Sequence, residues 1–396
     1  MATDVKDEPQ PVRPNIWNDA RARAVFLQII MVILVVAGFA YIADNAITNL
    51  RRLNISTGFG FLGTTASFDI GFTLISYSAA STYGRAFLVG LLNTLFISSI
   101  GVVLATILGF TVGVLRLSNN WLISKLMGAY VEIMRNIPLL LQIFFWYFVI
   151  INTVPGPRGS LALPLGVMLN NRGLYSPDPT FLPGFSATPI VLILAIIGSI
   201  ILHRWSRKRQ EATGQHFPSI LTGLGMIVCL PVIAFLVTGK PVSWTFPELR
   251  GFNLQGGVQL PPEFVALLMA LVIYSSAFIG EIVRAGILAV SKGQTEAAYS
   301  LGLKPSFTLR LVIIPQALRI IVPPLTSQYL NLTKNSSLAA AVGYPDLVHI
   351  FAGTTLNQTG QAIEIIFITM MVYLTISLSI SAFMNWYNQR VALVER

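Results

Sequence analysis

KGQTEAAYSLGLKPSFTLRLVIIP, residues 292–315, lies between two apolar runs long enough to cross a bilayer, yet it is neither apolar nor a simple turn. Thr295 is placed to cap a short helix beginning at Glu296. Gly302 is placed to end that helix in the left-handed conformation. Pro305 suits the first turn of a second short helix, and Pro315, with no N–H to donate, is expected to kink or stop it. The stretch therefore predicts a helix–turn–helix lying on a membrane surface. Phe307, Leu311 and Ile314 recur at helical spacing and form a stripe suited to docking. Lys292, Lys304 and Arg310 give it a basic rim.

Around this stretch the chain is strongly apolar. Of its 396 residues 54% are hydrophobic and 11% charged, and the mean hydropathy is +0.71. That is a polytopic membrane protein, not a soluble domain. A net charge of +10 would raise nucleic acid as the partner of a soluble protein. In a membrane protein Lys and Arg collect in cytoplasmic loops instead, so the bilayer is the expected partner and nucleic acid is not. Cys229 is the single cysteine and has no intrachain disulfide partner. His203, His216 and His349 are too scattered to predict a metal site.

Reading outward gives the organisation. Residues 1–22, with Pro9, Pro11 and Pro14, predict a cytoplasmic arm, and residues 24–43 an uncleaved first span. Residues 44–85 predict an external loop with a short surface helix or hairpin. The run over 86–115 has no charge and many small residues, which let helices approach closely in a membrane. A third span is expected over roughly 126–151. Residues 152–187 and 239–261 are Pro- and Gly-rich and predict external loops. Between them lie two apolar runs, 189–202 and 217–237. HRWSRKRQ separates these runs, and its Arg204, Arg207, Lys208 and Arg209 are the clearest positive-inside signal in the chain. Residues 264–286 predict the next span. Tandem Pro323-Pro324 is expected to break or kink the one after, so that its spanning part starts near Pro324. Residues 342–360 read as a polar external return, 362–387 as the last span and 388–396 as a tail. About eight spans result, with both termini cytoplasmic. Alternation places residues 204–216 and 292–315 on that same side.

Two constellations carry charge into the apolar runs. Glu132 with Arg135, and Glu281 with Arg284, each form a Glu-x-x-Arg pair on one face of a hydrophobic helix. A lone charge there costs roughly 2.5–3.5 kcal/mol on insertion scales, which pairing offsets. Two readings stand: a polar seam in the helix bundle that shifts when the protein changes state, or anchors at helix ends near the interface. Lys334, Asn335, Ser336 and Ser337 likewise sit inside a predicted span. They line a water-filled path near the midplane, or they form a polar patch against a partner helix.

Glu296-Ala297-Ala298, three residues, Gly302, and then Val312-Ile313-Ile314-Pro315 resemble the EAA-x3-G-x9-I-x-L-P loop of ABC importer permeases, with Val312 for Ile and Ile314 for Leu. Gly293-Gln294 before it, Pro315-Gln316-Ala317 after it, both Glu-x-x-Arg segments and Lys334-Asn335-Ser336-Ser337-Leu338 are similar to the polar-amino-acid branch of that family. The resemblance runs over about residues 86–150 and 262–386. Residues 152–261 depart from the minimal five-span pattern. There Asn170, Asn171, Arg172 and Gly173 resemble the longer permeases of general L-amino-acid importers.

The resemblance implies an all-α type I ABC importer permease core, residues 86–151 and 262–387, in a bacterial inner membrane. Extra helices would lie at 24–43 and within a 152–261 insert. It implies that Gly293, Gln294, Glu296, Ala297, Ala298, Gly302 and Pro315 belong to a coupling loop that seats in an ABC ATPase subunit. Glu296 would be its surface anchor. A second homologous permease, expected as a heterodimer partner, and a periplasmic amino-acid-binding protein complete the implied assembly. ATP would be bound by the partner ATPase. This chain has no G-x-x-x-x-G-K-[ST], H-E-x-x-H or G-x-S-x-G, so no cofactor and no covalent chemistry are expected of it. An ion-coupled secondary carrier using Glu281, Glu364 or Lys334 is the alternative, and it leaves the loop spacing unexplained. A membrane enzyme or scaffold is more remote, for want of any catalytic constellation.

Overall fold

The computed structural model describes residues 20–52 and 58–391. Residues 1–19 of the expected arm and 392–396 of the expected tail lie outside the described residues. The chain is mostly helical. Seven helices among the described residues are long and apolar enough to cross a membrane, or eight if one bent pair counts as a span.

The bundle is built on α2 (Tyr83–Leu115) and α7 (Pro262–Leu288), which pack along much of their length. Small residues set the approach. A Cβ at Gly113 would sit 2.6 Å from the Gly280 carbonyl oxygen, so only glycine lets the backbones come this close. Around this pair lie α4 (Leu139–Thr153), α10 (Ile314–Asn335) and α12 (Ala362–Val391). Leu267, Leu271 and Phe264 of α7 pack with Ile97 and Ile143 in one core cluster. Ile279 and Val283 pack with Ile321, Leu325 and Leu332 in another.

The expected third span is not one helix. α3 (Trp121–Asn136) and α4 turn through 106° at Ile137–Pro138. Ile137 takes the extended conformation that a following proline favours. The buried Gln142 amide then donates to the Met134 and Ile137 carbonyls, 3.0 Å each, at the end of α3.

Pro323 and Pro324 do the opposite of what their sequence predicts, because α10 runs through both. They sit on its exposed face while Ile321, Val322 and Leu325 are buried, so packing on the other face holds the helix.

The two expected external loops are a joined β layer. β1 (Leu161–Ala162), β2 (Met168–Asn170) and β3 (Gly173–Ser176) form an antiparallel sheet completed by β8 (Val258–Leu260). β4 (Asp178–Phe181) pairs with β5 (Val242–Thr245), and β6 (Glu248–Arg250) with β7 (Asn253–Gln255). Asn170 is fully buried and Gly173 pairs with it across the β2–β3 turn, so the NNRG motif builds this layer.

The hairpin of α5 (Ala187–Thr213) and α6 (Ser219–Val237) leaves and re-enters the layer. HRWSRKRQ is helical throughout, and α5 ends only at Gly214, in the left-handed region. Residues 44–85 are partly helical: α1 runs over Ala20–Arg52, and a short 3₁₀ helix spans Phe59–Gly63.

Residues 342–360 carry the chain from α10 back to α12, but they are packed rather than open to solvent. Tyr344, Asp346, Leu347 and Phe351 are fully buried, and a π-helical turn over Val348–Thr355 leads into α11 (Leu356–Thr359).

Candidate functional site

The loop that follows α7 folds as two short helices, α8 (Lys292–Ser300) and α9 (Pro305–Thr308). Ser291, not Thr295, occupies the N-cap position, so α8 starts a turn earlier than its sequence predicts. Ser291 marks the start by its extended backbone and makes no side-chain cap hydrogen bond. Gly302 has φ +74°. Its N–H bonds the Tyr299 carbonyl at 2.9 Å, and that of Leu303 bonds Ala298 at 3.1 Å, which is a Schellman closure.

Pro315 neither stops nor kinks the second helix. It is the second residue of α10, which continues from α9 through a π-helical turn over Leu309–Ile313, the wider turn accommodating the missing N–H. Gln316 Nε2 donates to Gln294 Oε1 at 3.2 Å and ties the two ends of the loop.

Ala298 and Thr308 are buried and anchor the loop from within. Gly293, Gln294, Glu296, Ala297 and Gly302 are exposed. Beside them Leu301 is 82% exposed, Leu311 60% and Phe307 51%. The loop thus presents an apolar knuckle with a carboxylate next to it, and this chain covers neither.

The two Glu-x-x-Arg motifs behave differently. Arg284 holds the Glu281 carboxylate with two hydrogen bonds, 2.6 and 3.1 Å. Arg116, at the end of α2, donates to the same carboxylate. Arg116 is a member that reading the two motifs missed; its signal was its place as the first charge after an uncharged span. Glu132 and Arg135 form no ion pair among the described residues. Arg135 lies instead over the Phe278 ring, 5.0 Å from its centre, while Glu132 is exposed on α3. The expected second pair is therefore corrected: the bend at Pro138 puts α3 outside the straight span in which the two charges would need each other.

Lys334 and Asn335 end α10, and Ser336 begins a 3₁₀ segment to Ala341. Ser336 is fully buried, bonds the Thr333 carbonyl at 2.8 Å and meets Ser98 of α2 at 3.4 Å. Ser337 bonds the Lys334 carbonyl at 2.7 Å. Lys334 is exposed and Asn335 half-buried, so the motif divides between a packed face and an open one. A cavity of about 600 Å³ between α2, α10 and α12 carries hydroxyls from Ser98, Ser99, Tyr329, Thr333 and Thr375.

Sequence reading also missed a buried polar core near the KNSSL segment. The Asn93 amide bonds the Phe72 and Pro345 carbonyls at 3.0 and 2.8 Å. Tyr344 bonds the Asn93 carbonyl at 3.2 Å, and the Leu347 N–H bonds Thr94 at 3.0 Å. Asp346 accepts from the His349 N–H at 2.8 Å and the Tyr373 hydroxyl at 3.5 Å. The available signal was Asn93-Thr94 inside an otherwise apolar run.

Residues 212–393 match the family described as binding-protein-dependent transport system inner membrane component. The chain is 53% identical over 378 residues to the general L-amino acid transport system permease protein AapQ of Rhizobium johnstonii, covering 96% of this chain and 94% of that one. The chain belongs to the amino-acid ABC transporter permeases. It is also 53% identical over 374 residues to the putative amino-acid ABC transporter permease protein YhdX of Escherichia coli, covering 94% and 95% of the two chains. The glutamate/glutamine/aspartate/asparagine transport system permease protein BztB of Rhodobacter capsulatus is 44% identical over 413 residues, covering 96% of each. The permease's α8–α9 loop, Glu281–Arg284 pair and KNSSL segment all fall within the matched family region. Its β layer and α5–α6 hairpin fall within the long alignments to AapQ and YhdX, which leave too few residues unmatched to omit them.

Proposed function

We propose that this permease imports L-amino acids as the membrane subunit of an assembly in which two ABC ATPase subunits hydrolyse ATP, a periplasmic binding protein delivers substrate, and a second, unlike permease completes the channel. The observation that carries this reading is the uncovered knuckle of the α8–α9 loop, Leu301, Phe307 and Leu311 beside Glu296. An exposed apolar patch on a closed, glycine-capped turn is suited to seating in a partner's cleft. The ATPase is the partner the family supplies. Gly293, Gln294, Glu296, Ala297, Ala298, Gly302 and Pro315 are its contact and shaping residues. ATP closure would move this loop, and α7 and α10, which flank it, would carry the motion to the bundle as a biased two-state equilibrium.

The basic end of α5 lies on the same side as this loop, because α6 and α7 each cross once between them. The positive-inside rule makes that side cytoplasmic, and with it both termini.

Lys334, Asn335 and Ser337 line the substrate path where α10 gives way to the 3₁₀ segment, while Ser336 fixes that segment to α2. A neutral Asn335 suits a permease not restricted to cationic amino acids. Exchanging Asn335→Asp and comparing uptake of arginine with that of glutamate tests this; unchanged relative rates contradict it. The assembly is tested by solubilising native membranes and capturing the chain by a C-terminal tag, with co-purifying chains identified by mass. A P-loop ATPase and a second permease are expected. A chain that purifies alone and moves amino acids on an ion gradient contradicts the reading.

A further inference from the structure

The α5–α6 hairpin packs on itself and on little else of the chain. Ile193, Leu194, Ile197 and Ile201 of α5 and Leu221, Val228 and Ile233 of α6 are all exposed, so its sides face lipid. At one end α5 continues as a basic turn and a half. Arg204, Arg207, Lys208 and Arg209 lie within six residues, and Glu211 is the one acid on either helix. Among the described residues no ion pair engages Arg204, Arg207 or Lys208. Arg209 is turned away, with its guanidinium 5.4 Å from the Trp205 ring centre and bonded to Gln215 at 2.8 Å.

Where this basic end meets the start of α6 there are two adjoining cavities, of about 380 and 370 Å³. They share a seam at which His203 Nδ1 lies 3.1 Å from the Ser219 hydroxyl. Arg207 and His216 line the first and Arg204 the second. The second continues along Ile200, Leu224 and Ile227 into the apolar part of the hairpin. Trp205 and Phe217 meet edge to face at 5.9 Å beside the site, at the level where aromatic side chains favour the membrane interface.

We propose that this seam is a binding site for an acidic phospholipid, with the phosphate between Arg204 and Arg207 and an acyl chain along Ile200, Leu224 and Ile227. Cations placed only to orient a hairpin need no cavity between two helices and no groove leading from them. A free phosphate needs the cations but not the groove. Unpaired guanidinium groups above an apolar groove match the phosphate and an acyl chain of a phospholipid. The inference depends on the permease crossing a membrane, not on what it transports.

The test is native mass spectrometry of the full chain, purified with the subunits that accompany it. Phosphatidylglycerol or phosphatidylcholine of matched acyl chains is added, in the presence or absence of inorganic phosphate. Phosphatidylglycerol should be retained preferentially, and inorganic phosphate should not displace it. Arg207→Gln should lower that retention roughly fivefold, the weight of one basic residue at a membrane surface. Three cations remain in this variant to orient the hairpin. Leu224→Trp keeps every charge and fills the groove, and it should lower retention as well. Arg158→Gln, on the β-layer side, should change nothing. Equal retention of the two lipids, displacement by phosphate, or wild-type retention in both the Arg207 and Leu224 variants would overturn the proposal.

Discussion

Gly302 is the residue on which the loop turns. No atom lies within 4 Å of where its Cβ would be, so a substitution there meets no clash, and the whole penalty is the left-handed backbone itself. That penalty is about 1–2 kcal/mol for an L residue, and higher for a β-branched one. Gly302→Val is expected to leave the membrane level of the permease unchanged and to reduce substrate uptake several-fold, measured as transport per copy in intact cells. Gly302 was legible because a C′ glycine is a local signal. Pro315 does not end the helix, because a π-helical turn over Leu309–Ile313 accommodates it, and no local spacing predicts that turn.

Asp346 lies in the return between α10 and α12, a short polar stretch whose sequence does not show that it packs against α2. Asp346→Ala removes the acceptor of the His349 N–H and the Tyr373 hydroxyl in a fully buried site. A loss of about 1–3 kcal/mol is expected, visible as a lower melting temperature of the detergent-purified protein. Asp346→Asn keeps an acceptor and should lose less.

Helices α2 and α7 show what glycine does at the level of elements. At Gly113 any side chain would meet the Gly280 backbone, and backbone cannot move aside as a flexible side chain can. Gly113→Leu should force the pair apart at a cost above the usual 1–3 kcal/mol of overpacking, read as loss of folded protein in detergent. The richness of α2 in small residues announced close packing, though not its partner. The α3–α4 break was hidden because the two helices together are long and apolar enough to read as one span. What distinguishes it from Pro323-Pro324 is long-range: Gln142 satisfies carbonyls at the end of α3, while the buried face of α10 keeps that helix continuous. Gln142→Leu would strand the Met134 and Ile137 carbonyls at a cost of about 1–3 kcal/mol. Measured by thermal unfolding, a neutral Gln142→Leu would mean that the bend needs no such support.

At the scale of the whole molecule, the spans and their order were legible from hydropathy and charge, because the bilayer imposes length and composition on every crossing. The β layer was not, since strands of two to four residues pair across the intervening α5–α6 hairpin and leave no periodic trace. The α8–α9 loop is the feature on which the proposed coupling to an ATPase rests, since it leaves Leu301, Phe307 and Leu311 exposed. The most direct test reconstitutes the assembly captured through this chain into proteoliposomes and follows uptake of labelled L-amino acids. Uptake that requires ATP hydrolysis and the binding protein, persists when ion gradients are collapsed and falls in Gly302→Val is the predicted result. Uptake by the chain alone, driven by an ion gradient without ATP, would contradict the account.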